Sequence, residues 1–239
     1  MPREKPDALW RAIHDNLNAD IAAARYAPGD KLPTEAALAA RFGVNRHTVR
    51  RALGELAEAG VIFTRRGAGA FVAHRPTDYP IGTRVRFHQN LRAAGRLPAK
   101  EILALETRAA DTAEAEALRL APGAQVHVYD GLSLADGMPV ATFRSTFPAV
   151  RFPDLPKALK RLKSVTDALR EQGVADYTRA STRLTAKLAS PTQALHLQLA
   201  PGAPILRTTA VNVDPDGQPI EYGRTWFAGD RITLTLTDV

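Results

Sequence analysis

The chain has 239 residues, a formal net charge of +7, no cysteine and 45% hydrophobic residues. This length suits two modest domains, and this hydrophobic content is typical of folded globular proteins. Without cysteine the chain can form no disulfide, thiolate metal site or thiol nucleophile, which fits a reducing cytoplasm. No apolar run approaches the ~18 residues of a membrane helix, and no apolar signal core follows the first residues. We therefore expect a cytoplasmic protein without a membrane partner.

The basic charge is concentrated in the first third of the chain. Residues 1–75 contain 12 Lys and Arg against 8 Asp and Glu, a net charge of +4, which leaves +3 for the longer remainder. A basic balance favours a polyanionic partner, although many soluble proteins are this basic without one. Charge alone therefore does not decide between classes of function.

The N-terminal part is predicted to form three helices and a hairpin. Apolar residues at every fourth position predict a first helix over residues 6–26. Thr34 and Asn45 are placed to cap a second and a third helix, which Gly43 separates. Residues 61–73 then have the pattern of a β-hairpin with a glycine-rich tip.

A short polar segment with two prolines, residues 76–80, predicts a linker between a first domain, 1–75, and a second domain, 81–239. The second domain is predicted to be α+β. Helices are expected near 85–94, 113–119, 156–172 and 191–198, and strands near 102–107, 126–134, 139–147, 179–188, 205–213, 220–227 and 232–236.

An internal repeat runs through this second domain. The sequence Leu-Arg-Leu-Ala-Pro-Gly-Ala at residues 118–124 returns as Leu-Gln-Leu-Ala-Pro-Gly-Ala at residues 197–203. Each copy continues into a strand, an Asp-Gly turn and a second strand, and the second strands align Arg144 with Arg224. The repeat predicts two helix-strand-turn-strand units related by a pseudo-twofold axis, with a cleft between the halves.

The third predicted helix has the features that major-groove recognition needs. Its start is basic, and Arg46, His47 and Arg50 lie on or beside the face opposite its apolar stripe. Positive charge at a helix N-terminus is unfavourable because it opposes the helix macrodipole. Basic residues in this position therefore indicate a binding function, and DNA phosphates would offset the unfavourable charge. Arg65 and Arg66 at the hairpin tip suit a wing on the minor groove or its phosphates. A solvated arginine face on a small helical domain is the alternative.

The segments 29–35, 38–46 and 48–53 resemble the winged-helix domain of GntR-family regulators, and residues 67–72 resemble its wing. The resemblance implies a double-stranded DNA operator as partner. It also implies that Arg46, His47, Thr48 and Arg50 face the operator, with Arg66 and Gly67 at the wing. The predicted DNA-binding residues are Thr34, Glu35, Asn45, Arg46, His47, Thr48, Arg50, Arg51, Arg65, Arg66 and Gly67.

The second domain resembles the effector-binding (UTRA) domain of the HutC-type branch, whose fold is similar to chorismate lyase. The resemblance rests mainly on residues 87–91, 134–137, 216–222 and 229–231. It implies an antiparallel sheet, and hence an α+β fold class with an N-terminal winged helix-turn-helix. Residues 78–80 with 86–91 are most similar to members that control phosphonate utilisation. That likeness implies a repressor that responds to a phosphonate or phosphate compound.

Oxyanion sites favour helix N-termini supported by arginine or hydroxyl donors. Two predicted helix starts fit, one at residues 86–90 and one at 164–167, which matches where HutC-type sensors hold the anionic group of the effector. The predicted ligand-binding residues are Arg86, Phe87, His88, Gln89, Asn90, Arg144, Ser164, Thr166 and Glu221. Each of the main candidates also has a purely structural interpretation: Ser164 as a helix cap, Arg144 as a surface residue, Glu221 as an ion-pair partner and His88 as a solvated side chain.

Other functions remain open at this point. Urocanate, an amino acid or a sugar phosphate are alternative effectors, although sugar-phosphate sensors tend to carry arginines where Gly131 and Ser133 stand. The second domain could also serve dimerisation alone. No nucleophile-base signature, metal-ligand spacing or P-loop is present, so we expect no enzyme activity, cofactor or metal. Because one winged helix reads few base pairs, we expect a homodimer on a palindromic operator.

Overall fold

The computed structural model describes residues 6–65, 67–73, 76–84 and 86–236. The chain divides into two compact units, Met1–Arg75 and Pro76–Val239. Within these described ranges, no helix combines the length and the apolar character needed to cross a membrane.

The first unit contains three helices and a two-stranded hairpin. Its elements are α1 (Pro6–Ala22), α2 (Glu35–Phe42), α3 (Arg46–Glu58), β1 (Ile62–Arg65) and β2 (Gly69–Val72). The first helix ends before residue 26, where the prediction placed its end, because Ala24 adopts a left-handed conformation with φ of 56°.

Local capping orients the two helices of the helix-turn-helix. Thr34 Oγ1 accepts a hydrogen bond from the Ala37 N–H (3.2 Å), and Asn45 Oδ1 accepts one from the Thr48 N–H (2.9 Å). Both predicted N-caps are therefore confirmed. Gly43 between the helices has a φ of 64°, which favours glycine. The buried side chains beneath include Ile13, Leu17, Leu38, Val49, Leu53, Leu56, Ile62 and Val72.

The second unit is built around one large sheet. Its elements are β3 (Thr77–Pro80), α4 (Phe87–Ala93), β4 (Pro98–Ala109), α5 (Thr112–Leu118), β5 (Gln125–Ala135), β6 (Met138–Pro148), α6 (Leu155–Leu162), α7 (Val165–Glu171), β7 (Thr178–Leu188), α8 (Pro191–Leu197), β8 (Pro204–Val213), β9 (Pro219–Ala228) and β10 (Ile232–Thr235).

The six-stranded sheet shows the predicted repeat. Its strand order is β4-β5-β6-β9-β8-β7 with every neighbouring pair antiparallel, so the order is symmetric about the central β6–β9 pair. Arg144 and Arg224, which the repeat aligned, are Cα partners across that pair. The two copies, α5-β5-β6 and α8-β8-β9, therefore meet at the centre of the sheet.

Residues 77–80 are a strand, not the linker that the sequence predicted. The strand β3 pairs in parallel with β10, and the Thr77 N–H donates to the Arg231 carbonyl oxygen (2.8 Å). The Arg231 guanidinium in turn donates to the carbonyl oxygens of Pro139 (2.5 Å) and Leu197 (2.7 Å). These contacts hold the beginning and the end of the second unit against its sheet.

A glycine on β5 makes room for an aromatic ring. A Cβ at Gly131 would collide with the Phe143 ring and lie 2.8 Å from the Glu101 carbonyl oxygen. We expect Gly131→Ala to lower the free energy of unfolding by about 1–3 kcal/mol, because an overpacked core must shift. Gly223→Ala is the matched control, since a Cβ there meets its nearest atom at 3.7 Å. Equal losses for both variants in chemical denaturation would contradict the collision as the cause.

Candidate DNA-binding surface and effector cavity

The start of α3 presents basic side chains that are not used within the first unit. Arg46 and His47 are exposed, and neither makes a side-chain hydrogen bond to another described residue. The apolar stripe of the helix is buried on the opposite side. The buried apolar side chains thus hold the first turn of α3 in place, and its exposed side chains remain available to a ligand.

A carboxylate holds a third arginine of α3 in place. Arg50 binds Glu35 through two hydrogen bonds, Nε to Oε1 (3.0 Å) and Nη2 to Oε2 (2.7 Å). The hydrogen bond from Arg50 lowers the pKa of Glu35 below its ordinary value, and the charges of Arg46 and His47 lower it further. The pair connects the first turn of α2 to α3, so the Arg50 guanidinium is oriented before any ligand arrives.

Several other predicted DNA-binding residues have structural contacts. Thr34 and Asn45 are the helix caps, and Thr48 Oγ1 donates to Asn45 Oδ1 (3.0 Å). The Arg51 guanidinium lies over the Trp10 ring of α1, with 4.6 Å from Cζ to the ring centroid. These residues position the helix and its arginines as well as lying near its exposed face.

The hairpin supplies the predicted wing. Gly67 has a φ of 77° in the turn between β1 and β2, and Arg65 ends β1. Arg66 lies outside the described residues. Lys31, which was not among the predicted DNA-binding residues, is exposed, and its side chain lies beside Gly69 of β2. It adds a cation beside the hairpin.

In the second unit, a cavity of about 280 Å³ lies over one face of the large sheet. Its wall includes the first residues of α4 and of α7, and its floor includes alternate residues of β6, β8 and β9. Seven of the nine predicted ligand-binding residues line it: Arg86, Phe87, His88, Gln89, Ser164, Thr166 and Glu221.

The cavity is rich in positive charge. Five basic side chains line it against two carboxylates: Arg86, Arg92, Lys100, Arg170 and Arg179 against Asp167 and Glu221. No cluster of three or more His, Asp or Glu side chains that could hold a metal ion occurs in the described part of the chain. The excess of positive charge in the lining therefore suits an anion.

Two nitrogen atoms in this wall, one of them in an arginine, are buried without a hydrogen-bond partner among the described residues. The Arg86 Nη2 donates to Asp176 Oδ1 (2.7 Å) and to the Tyr177 carbonyl oxygen (2.8 Å), and the guanidinium lies 3.6 Å over the Tyr177 ring. Its Nη1 has no hydrogen-bond partner among the described residues, and neither has His88 Nε2. Burial lowers the pKa of His88, and the charges of Lys100 and Arg92 lower it further. Such atoms cost free energy unless a bound acceptor satisfies them.

A hydrogen-bonded carboxylate lies on the cavity floor. Glu221 is buried and accepts hydrogen bonds from Ser145 Oγ (2.6 Å) and Asn212 Nδ2 (2.7 Å). Asn212 Oδ1 in turn accepts one from Arg179 Nε (3.4 Å). The alternative pairing of Glu221 with Arg144 or Arg224 does not occur.

Comparison with known proteins bears on both sites. Residues 9–72 match the family described as bacterial regulatory proteins, gntR family, and residues 93–233 match the UTRA domain. The chain belongs to the GntR family of transcription regulators. Its α+β fold, with an N-terminal winged helix-turn-helix and a UTRA domain built on an antiparallel sheet, agrees with the sequence prediction.

Whole-length relatives of this GntR-family regulator are also named transcription regulators. It is 39% identical over 98% of its length to the uncharacterized HTH-type transcriptional regulator RB1450 of Rhizobium meliloti, covering 96% of that protein. It is 35% identical over 88% of either chain to the probable transcriptional regulator PhnF of Escherichia coli. The crystal structure of PhnF from Mycobacterium smegmatis is similar with a TM-score of 0.67 at 27% identity, covering 95% of this chain and 99% of that one.

Two residues that were predicted to bind ligand lie outside the cavity of this regulator. Arg144 is on the opposite face of the sheet, where it binds Asp130 through two hydrogen bonds of 2.7 Å. Alternation along β6 places its neighbours Phe143 and Ser145 inside the cavity instead. Asn90 donates to the Pro80 carbonyl oxygen (3.0 Å) and does not line the cavity.

Several lining residues of the GntR-family regulator were not predicted from the sequence, among them Lys100, Ser145, Tyr177 and Asn212. Asn212 carried a usable signal, because a polar residue between two valines on a strand indicates a polar site on one face. Tyr177 lies in the loop before β7, and Lys100 lies near the beginning of an edge strand. Neither position indicates a cavity from local pattern alone.

Proposed function

We propose that this regulator is an effector-responsive repressor that binds a palindromic operator as a homodimer and controls genes of phosphonate uptake or catabolism. The observation that carries the effector part is the pair of buried, unpartnered nitrogens, Arg86 Nη1 and His88 Nε2, in a cavity with excess positive charge. The two PhnF relatives, and the likeness to regulators of phosphonate utilisation, support the choice of pathway.

The effector that fits this cavity is a small phosphonate or phosphate compound. Tetrahedral oxyanions offer several acceptor atoms, and arginine donors bind them through charge-assisted hydrogen bonds. A sugar phosphate is less suitable, because sugar-phosphate sensors tend to carry arginines at the two positions where this chain has Gly131 and Ser133. The relatives are named as regulators, and we propose that the chain catalyses no reaction.

On the DNA side, we propose that the exposed first turn of α3 enters the major groove and that the hairpin lies on the neighbouring backbone. Arg46 and His47 would reach base edges, and the Arg50 guanidinium held by Glu35 would reach bases or phosphates. A dimer doubles the few base pairs that one helix reads, and its twofold symmetry requires a palindromic operator.

Thermal unfolding with added small molecules tests the effector. We expect methylphosphonate, 2-aminoethylphosphonate or inorganic phosphate to raise the Tm by several degrees, since ligand at a hundred times its Kd stabilises by about 2.7 kcal/mol. His88→Ala should abolish most of this shift, because it removes an unpartnered nitrogen from the cavity wall without breaking an existing hydrogen bond.

Arg144→Ala is the control for that experiment, because Arg144 lies on the other face of the sheet and should leave the ligand-induced shift intact. Urocanate, an amino acid and glucosamine 6-phosphate complete the series of compounds. A shift with one of these and none with phosphonates or phosphate would reject the proposed effector class.

A further inference from the structure

Lys100 is held differently from Arg86 and Arg170, two other basic residues of the cavity. Arg86 and Arg170 have carboxylate partners in Asp176 and Asp167. Lys100 makes no hydrogen bond or ion pair with any described residue. Its ammonium instead lies against two aromatic rings, with Nζ 4.1 Å from the centroid of Phe143 and 5.4 Å from that of Phe87. Its three N–H donors are therefore free to bind a ligand.

The position of Lys100 in the sheet explains why it supplies this charge. Lys100 on β4 is the Cα partner of Ser133 on β5, and both line the cavity. The two β5 residues at positions 131 and 133 are Gly131 and Ser133, which carry no charge. The neighbouring strand thus brings a cation to a region from which β5 contributes none. A lysine ammonium is a compact point charge, whereas an arginine fork would bind over a broader plane.

Donors and positive charge accumulate around Lys100 with little to balance them. His88 faces the same space from α4, and its pKa is lowered first by burial and then by the Lys100 charge. Burial lowers the pKa of Lys100 to about 8, and the charge of Glu221 opposes that shift. Arg92 lies on the same helix as His88. An incoming anion would relieve the repulsion, and a second negative charge would relieve it further.

We propose that Lys100 binds the anionic group of the effector and makes the cavity prefer a doubly charged tetrahedral oxyanion, a phosphonate or phosphate monoester, over a singly charged one such as a sulfonate. This inference rests on the proposed function. The competing structural role for Lys100 is that of a counter-ion for Glu221, which would affect the stability of the free protein without affecting the choice of ligand.

Isothermal titration of the full-length protein at pH 8, where most methylphosphonate is doubly charged and methanesulfonate is singly charged, tests this role. We expect the wild type to prefer the phosphonate by at least about 10-fold. Lys100→Met should weaken phosphonate binding by about 10- to 100-fold, as for loss of a charge-assisted hydrogen bond, and sulfonate binding much less. Lys187→Met is the control, because Lys187 is an exposed β7 residue that does not line the cavity.

The dependence on pH provides a second readout. Because bound anion stabilises the charged form of Lys100, phosphonate affinity should fall by up to about 10-fold per pH unit as the pH rises above 8. His88 is uncharged in this range and burial raises the pKa values of Tyr79 and Tyr177, so these cavity groups do not titrate there. Lys100→Met retains the titration of the ligand itself, and it should lose the additional fall.

The outcomes separate this inference from the proposed function. If the wild type binds methylphosphonate and Lys100→Met retains both its preference over methanesulfonate and its pH dependence, Lys100 does not select the dianion, although the regulator still senses phosphonates. If the wild type binds neither compound nor inorganic phosphate, the proposed effector fails and the role of Lys100 fails with it. Lys100→Gln replaces Lys100→Met if the latter does not fold, as judged by circular dichroism.

Discussion

Arg46→Ala is expected to remove most of the specific affinity for the operator. Arg46 is exposed at the first turn of α3 and has no partner within the described part of the first unit, so its guanidinium is free to bind a base edge. A bidentate arginine contact contributes about 1–3 kcal/mol, and a symmetric dimer loses it in both half-sites. The expected loss is therefore between about 30-fold and 20,000-fold in Kd.

This loss can be measured on a duplex selected from a random library by binding to the wild-type protein. Titration should give two chains per palindromic duplex, and the salt dependence separates base contacts from phosphate contacts. Arg183→Ala, an exposed change on β7 of the second unit, is the charge-matched control. An Arg46→Ala protein with wild-type affinity would show that α3 is not the recognition helix.

Glu114→Ala is expected to cause the largest loss of stability. Glu114 is fully buried and accepts hydrogen bonds from both terminal nitrogens of Arg108 (2.7 and 2.9 Å), from Thr146 Oγ1 (3.1 Å) and from the Asp111 N–H (3.0 Å). Removing one partner of a buried ion pair costs about 3–5 kcal/mol, and we expect about 3 kcal/mol here because Arg108 is partly exposed and keeps Glu106 as a partner. For the second unit this corresponds to a Tm lower by about 10 °C.

The same carboxylate makes stability depend on pH in a defined direction. Burial alone would raise the pKa of Glu114, but the hydrogen bonds from Arg108 and from the Asp111 N–H lower it to about 2. Its contribution is therefore complete above the ordinary glutamate pKa of about 4.3 and is lost as the pH falls towards 2. Glu114→Gln should flatten the stability curve in this window.

Glu116→Ala is the control for both measurements, because Glu116 is an exposed residue on the same helix. We expect it to change the unfolding free energy by less than about 0.5 kcal/mol. If thermal unfolding shows that Glu114→Ala and Glu116→Ala are equally stable, the buried network does not have the strength that its geometry implies.

Features that depend on neighbouring residues could be predicted from the sequence. The caps at Thr34 and Asn45 could be predicted because each short side chain accepts a hydrogen bond from the backbone N–H three residues later in the chain. The structure confirms both caps. The repeat could be recognised in the sequence because similar segments form similar structural units. The two residues that the repeat aligns, Arg144 and Arg224, are Cα partners on neighbouring strands. The resemblance to a known family then joined these parts into a fold.

Features that depend on distant residues could not be predicted in this way. Alternation shows that Arg144 and Ser145 face opposite sides of a sheet, but which side holds the cavity depends on where α4 and α7 pack. Lys100 resembles any solvated lysine on an edge strand until Phe87 and Phe143 are placed around it. The segment at 77–80 resembled a linker because its partner strand begins at Ile232.

The pairing of β3 with β10 also constrains the order in which a working molecule is completed during synthesis. Ribosomes make the chain from the N-terminus, and Ile232 emerges about 155 residues after the Thr77 with which it pairs. The strand that carries Tyr79 into the cavity wall therefore lacks its partner until the last residues are made. A prematurely terminated chain would contain the complete first unit yet lack the strand that pairs with the beginning of the second unit.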